Sequence, residues 1–232
     1  MHVPLQSALQ FASLDQQRQL LDKQAADLRS LIHKELAPQL IEYELGKVSH
    51  QVPQLDESEV PRSQAAAMFS AVLGLDKALE ELDSSDLFHL YDWVGADQRN
   101  PYRQTPSQPL TSTHEPVEAA LVPRAVDRFF EWVRSPSFAD LHAIQQMSLS
   151  QMRLYEIHPF PKYSQLTVSL FSYYFLLKAD YLVPLYEVGE LAKFYQALGQ
   201  AFMLSSEALV HFNLQACQRA YEHVLSRISH SG

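Results

Sequence analysis

Apolar residues return at every third or fourth position through most of this chain, the spacing that gathers one stripe along a helix. Leu14, Leu20, Leu21, Leu28, Leu31 and Ile32 outline a first amphipathic helix. Pro38 opens a second, with Leu40, Ile41, Leu45 and Val48 on its inner face. Ala65 to Glu81 is helix-prone and broken near Gly74; Ser84 or Ser85 then caps a helix that stops at Gly95. Further helices are expected over Pro123–Arg134, Phe138–Ile157, Ser164–Tyr181, Val188–Gly199 and Ser205–Ile228. Only six glycines supply the positive-φ positions that hairpins and phosphate loops use, which argues against an all-β fold and a Gly-rich nucleotide cradle. The expectation is an all-α fold with a small β-hairpin flap at most.

Two breaks interrupt the helical pattern. Val52–Arg62, with Pro53, Pro61 and several acids, reads as a connection. Asn100–Pro123 carries five prolines, too many for a central strand, and has room for a short hairpin or flap. Neither separates independent cores, so the chain reads as one structural unit: N-terminal helices over residues 1–62 packed on a core domain over 63–232. The net charge of −9 argues against nucleic-acid binding, which needs Lys and Arg to neutralise phosphates. The first residues lack a basic, apolar leader, and the uncharged run Tyr163–Leu177 is too short for a bilayer. No membrane association and a cytoplasmic location are expected. The single cysteine, Cys217, excludes an internal disulfide and reads as a buried small hydrophobe. His211 and His223 stand too far apart on the last helix to share a zinc ion, and no metal site is expected. Phe171, Tyr173, Tyr174 and Phe175 read as core.

The most informative segment is Ile157-His158-Pro159-Phe160. Pro159 stops a helix at His158, and Pro161 stiffens the connection before another begins near Ser164. A histidine at such a junction faces a cleft as a general base beside an anion-binding helix N-terminus, or simply bonds a helix-end carbonyl.

The segment resembles the active-site motif H-x-F-x-[D/E]-G-N-G-[R/K] of the Fic (filamentation induced by cAMP) family of the Fido fold. Gly74-Leu75-Asp76-Lys77-Ala78-Leu79 is similar to that family's G-L-D-x-A-L helix start. Tyr102-Arg103 resembles its G-x-[Y/F]-R element, with Asn100 at the glycine. Phe130–Ser135 resembles F-x-x-W-L-x-S, and Phe194–Leu198 resembles a later Y-Y-x-x-L segment. The ordered elements span most of the chain. The resemblance implies a protein AMP transferase: the motif histidine deprotonates a target hydroxyl, which attacks the α-phosphate of ATP. The acid holds Mg²⁺, the glycines admit phosphates to backbone N–H groups, and the final cation neutralises charge.

Each of those parts except the histidine is altered here. His158 and Phe160 keep the base and core-anchor positions, with Pro159 between them. Lys162 stands at the metal-binding acid, Tyr163 and Gln165 at the two glycines, Ser164 at the asparagine and Leu166 at the terminal cation. Gln151 stands where a second histidine is common. Many family members also carry an inhibitory helix whose glutamate pairs with the motif arginine; Tyr43–Gln51 resembles it, with Ser49 at the glutamate and Leu45 at the serine. Pro106 and Pro109 remove N–H donors from the flap that aligns target peptides. The reading is therefore a catalytically degenerate binding or regulatory protein without a cofactor, engaging a protein partner or a second copy of itself. Its vestigial cleft of Arg103, Lys162, Ser164 and Gln165, with Arg153 nearby, would then accept a small anion. The alternative is a divergent transferase with His158 as base and Lys162 as phosphate clamp, to which ATP and Mg²⁺ would still bind.

Overall fold

The computed structural model describes residues 5–29, 71–72, 74–93, 101–187 and 189–230. The expected helix from Pro38, the connection at 52–62, Ser49 and Gly95 lie outside these residues. The described elements are helical, with α1 (Leu5–Arg29), a 3₁₀ turn (Leu79–Glu81), α2 (Ser84–Asp92), a second 3₁₀ turn (Ala119–Leu121), α3 (Val122–Val133) and α4 (Pro136–Ala139). Then follow α5 (Ala143–Ile157), α6 (Ser164–Lys178), α7 (Leu191–Phe202) and α8 (Glu207–His230). The all-α expectation holds, and no strand forms among the described residues. The flap is an irregular strap over residues 101–118.

Local chemistry sets most boundaries. The N-cap of α2 is Asp83, not a serine: its carboxylate accepts from the Ser85 N–H at 2.8 Å, and Asp86 reaches back to the Asp83 N–H at 3.0 Å. The helix expected over Phe138–Ile157 is two. Its break is set by His142, whose Nδ1 accepts from the Ile144 N–H at 3.2 Å and caps α5. In α3, Val122, Val126, Phe129, Phe130 and Val133 form one buried stripe, and Pro123 sits in its first turn.

Helix α6 is the centre of the molecule. Val168, Leu170, Phe171, Tyr173, Tyr174, Phe175 and Leu176 are buried around its circumference, so it has no solvent stripe. It packs most extensively along α5, while α2 crosses its other side. Helix α8 binds α7, α5 and α1. Phe129, Phe130, Phe138, Phe171 and Phe175 meet mostly edge to face, with centroids 5.0–6.2 Å apart. Each such pair adds ~0.5–1.5 kcal/mol to the burial of its rings. Helix α1 places Leu14, Leu21 and Ala25 against the core, whereas Leu20 is 49% exposed, on the outer face rather than the expected inner one. Cys217 is fully buried. No helix among the described residues is long and apolar enough to cross a membrane.

Candidate functional site

The α5–α6 junction is built by two left-handed residues. His158 ends α5 at φ 47°, its N–H still bonded to the Leu154 carbonyl at 2.9 Å. Pro159 disfavours the α conformation at the residue before it, so the helix cannot continue. Tyr163 precedes α6 at φ 52°, ψ 17°, a conformation that a glycine adopts freely and a tyrosine at a cost of ~1–2 kcal/mol. The loop thus retains a positive φ at a position where the resemblance expected a lost glycine to matter. Phe160 is fully buried and stacks on Tyr91 at 3.9 Å. Ser164, also buried, accepts from the Phe160 N–H at 3.3 Å and closes the loop.

Arg103 binds this loop to the strap. Its N–H donates to the Pro159 carbonyl at 2.9 Å. Its side chain donates to the carbonyls of His158 at 2.7 Å, Thr105 at 3.0 Å, Ile157 at 3.3 Å and Val117. Four of the five guanidinium N–H donors are therefore engaged by backbone oxygens, and the residue is 2% exposed. Beside it, His114 accepts from the Leu110 N–H at 2.9 Å through Nδ1 and approaches the Glu156 carbonyl at 3.2 Å through Nε2. That pairing requires the neutral Nε2–H tautomer, and burial lowers its pKa in agreement.

A cavity of about 350 Å³ lies between strap and loop, walled by His158, Phe160, Pro161, Gln165, Tyr195, Arg103 and strap residues 105–110. Burial first, then the Arg103 charge, lower the His158 pKa to about 4, so the imidazole is neutral near pH 7. Its Nδ1 is buried without a hydrogen-bond partner. The Tyr195 hydroxyl donates to Gln165 Oε1 at 3.2 Å across the wall. Lys162 is exposed and outside the wall. Arg153 faces a different cavity and pairs with Glu156 at 2.5 Å. No Asp or Glu lines the His158 cavity. The donors present do not fit a magnesium–nucleotide pair, because Mg²⁺ binds through one or two carboxylates together with phosphate oxygens.

Gln151 serves a separate purpose. Its Oε1 accepts from Asn213 Nδ2 at 3.1 Å, the same amide donates to Ser148 Oγ at 3.0 Å, and the Tyr186 hydroxyl donates to Asn213 Oδ1 at 2.9 Å. This buried network joins α5 to α8. The structure thus brings His158, Arg103 and Gln165 together around one cavity, seats Ser164 in the loop's own closure and leaves Lys162 in solvent. Sequence reasoning placed Tyr195 only within a family-like segment, without a role at the site, and did not single out His114; both reach the site from distant segments.

No protein-family model and no curated protein matches the chain. Solved structures do. Fic-1 (residues 134–508) from C. elegans superposes with TM-score 0.72 at 15% identity, over 99% of this chain and 76% of that one. A Fic domain containing signaling protein from Bacteroides thetaiotaomicron gives 0.70 at 13% identity, over 89% and 94%. A Fic family protein from Desulfovibrio desulfuricans gives 0.60 at 16% identity, over 98% and 76%. The chain has the Fic/Fido fold, and the His158 loop is the segment that resembles the family's motif.

Proposed function

We propose that this chain is a non-catalytic binding protein on a Fic scaffold, receiving a protein segment at the cleft between strap and His158 loop. The observation that carries this is the cavity wall: no carboxylate lines it, and Arg103 already donates to four carbonyl oxygens. A triphosphate would bring several negative charges into a cleft that offers neither metal-holding oxygens nor an unengaged cation. A His158 pKa of about 4 lies far below the value that suits a general base at neutral pH. The transferase alternative needs Lys162 as phosphate clamp, and its exposed position outside the wall favours the binding reading. Strap residues 104–109 make no backbone–backbone hydrogen bond among the described residues; the Thr105 and Gln108 carbonyls accept from the Arg103 and Ser107 side chains, and the remaining backbone groups suit pairing with a partner segment.

Calorimetric titration with ATP, with and without Mg²⁺, is expected to give no saturable heat. Micromolar binding of magnesium nucleotide, with labelling of a target protein that His158→Ala abolishes, would overturn the proposal.

A further inference from the structure

A second cavity, about 560 Å³, opens between α3 and α5 and shares no lining residue with the His158 cavity. Its wall holds Arg124, Arg128 and Arg153 around an apolar base that includes Phe129 and Trp132. Arg124 and Arg128 stand four residues apart on α3, the spacing at which like charges on a helix repel. Neither forms an ion pair among the described residues. The wall contains one acid, Glu156, which pairs with Arg153. Three cations against one anion leave this cleft positive in a chain whose net charge is −9.

We propose that the cleft is a binding site for an organic anion, a phosphate or carboxylate carried on a flat apolar body. Guanidinium forks match the geometry of both anionic groups, and a low-dielectric wall of Phe129 and Trp132 strengthens the attraction. Trp132, on the same wall as the three arginines, offers the apolar body an aromatic surface. The volume lies within the ~300–1,000 Å³ range of small-ligand sites. An anion seated between Arg124 and Arg128 would offset the repulsion between them.

The chain has two tryptophans, and Trp93→Phe leaves Trp132 as the sole indole reporter. Phenyl phosphate titrated into this variant is expected to change Trp132 emission saturably in the sub-millimolar range, with binding weakening as salt rises. Inorganic phosphate is expected to bind at least tenfold more weakly. The Arg124→Gln/Arg128→Gln double change, at exposed positions that leave the core intact, is expected to weaken phenyl phosphate at least tenfold; Lys193→Gln, an exposed cation of α7, leaves it unchanged. Arg153→Gln is a second, independent cut on the α5 side. Absence of saturable binding, equal binding by the double variant, or equal affinity for the two phosphates would each overturn the proposal.

Discussion

Arg103 is a structural clamp. Removing its side chain leaves the carbonyls of Thr105, Val117, Ile157 and His158 short of a donor, in a place with little water. Arg103→Met is therefore expected to lower unfolding free energy by about 3 kcal/mol or more, read by denaturant titration. Arg103→Lys is expected to recover little, because one ammonium cannot reproduce a planar fork. His158 makes the same region acid-sensitive. With a folded pKa of about 4 against an ordinary 6.5, the unfolded chain binds the proton first as pH falls. Stability from this group is complete above pH 6.5 and is lost as pH falls toward 4, by about 3 kcal/mol at one unit per 1.36 kcal/mol. His158→Gln is expected to flatten that limb of the stability profile, and the wild-type imidazole to show no NMR inflection between pH 5 and 8. Tyr163 offers a test of backbone strain free of packing differences. Tyr163→Asn and Tyr163→Val lose the same ring, but only asparagine tolerates φ near 52°, so valine is expected to be less stable by about 1 kcal/mol.

Helix α1 is held by a polar contact at the edge of its apolar stripe. Asp22 accepts from His142 Nε2 at 3.0 Å and from the Tyr181 hydroxyl, while Arg18 donates to Gln145 at 3.0 Å. Burial raises the Asp22 pKa, but the bonds from Tyr181 and His142, with the Arg18 charge, outweigh it and hold the carboxyl below its ordinary 3.8. A depressed acid stabilises above its unfolded pKa and ceases to as pH falls through the folded one. Asp22→Asn is expected to cost under about 1 kcal/mol, because the carboxyl is half exposed, and to speed amide exchange in α1 ahead of α5 and α6 at neutral pH. The helix stripes were legible in advance where apolar spacing was regular, as in α3, and where Pro159 and Pro161 punctuated the chain. Boundaries set by unusual caps were not: a serine run hid the Asp83 cap, and His142 caps α5 with a ring nitrogen. The candidate base was legible from its Pro-flanked junction. Its wall was not, because Tyr195 meets Gln165 from 30 residues away, and nothing local in Arg103 says its donors turn to carbonyls.

The scaffold and the motif segment separate cleanly across the molecule. The chain superposes on Fic-domain structures at TM-scores of 0.60–0.72 despite 13–16% identity, so the same fold is reached with mostly different side chains. Cores tolerate such exchange when volume and pattern are kept. The departures from the motif that this segment resembles run from the end of the loop into the first turn of α6, at Lys162, Tyr163, Ser164, Gln165 and Leu166. Tyr163 already holds the positive φ that a glycine would hold, and α6 already starts at the next residue. A left-handed residue thus leads directly into a helix N-terminus beside the cavity, whose wall carries the Gln165 side chain and no carboxylate. Changing these five positions together to the family's Asp, Gly, Asn, Gly and Arg is expected to raise stability at Tyr163 and to confer saturable magnesium–ATP heat that the parent lacks. Failure of a folded five-residue variant to bind would place the obstruction in the strap instead, where Pro106 and Pro109 line the same cavity. Exchange of those two prolines would then be the change that opens the cleft.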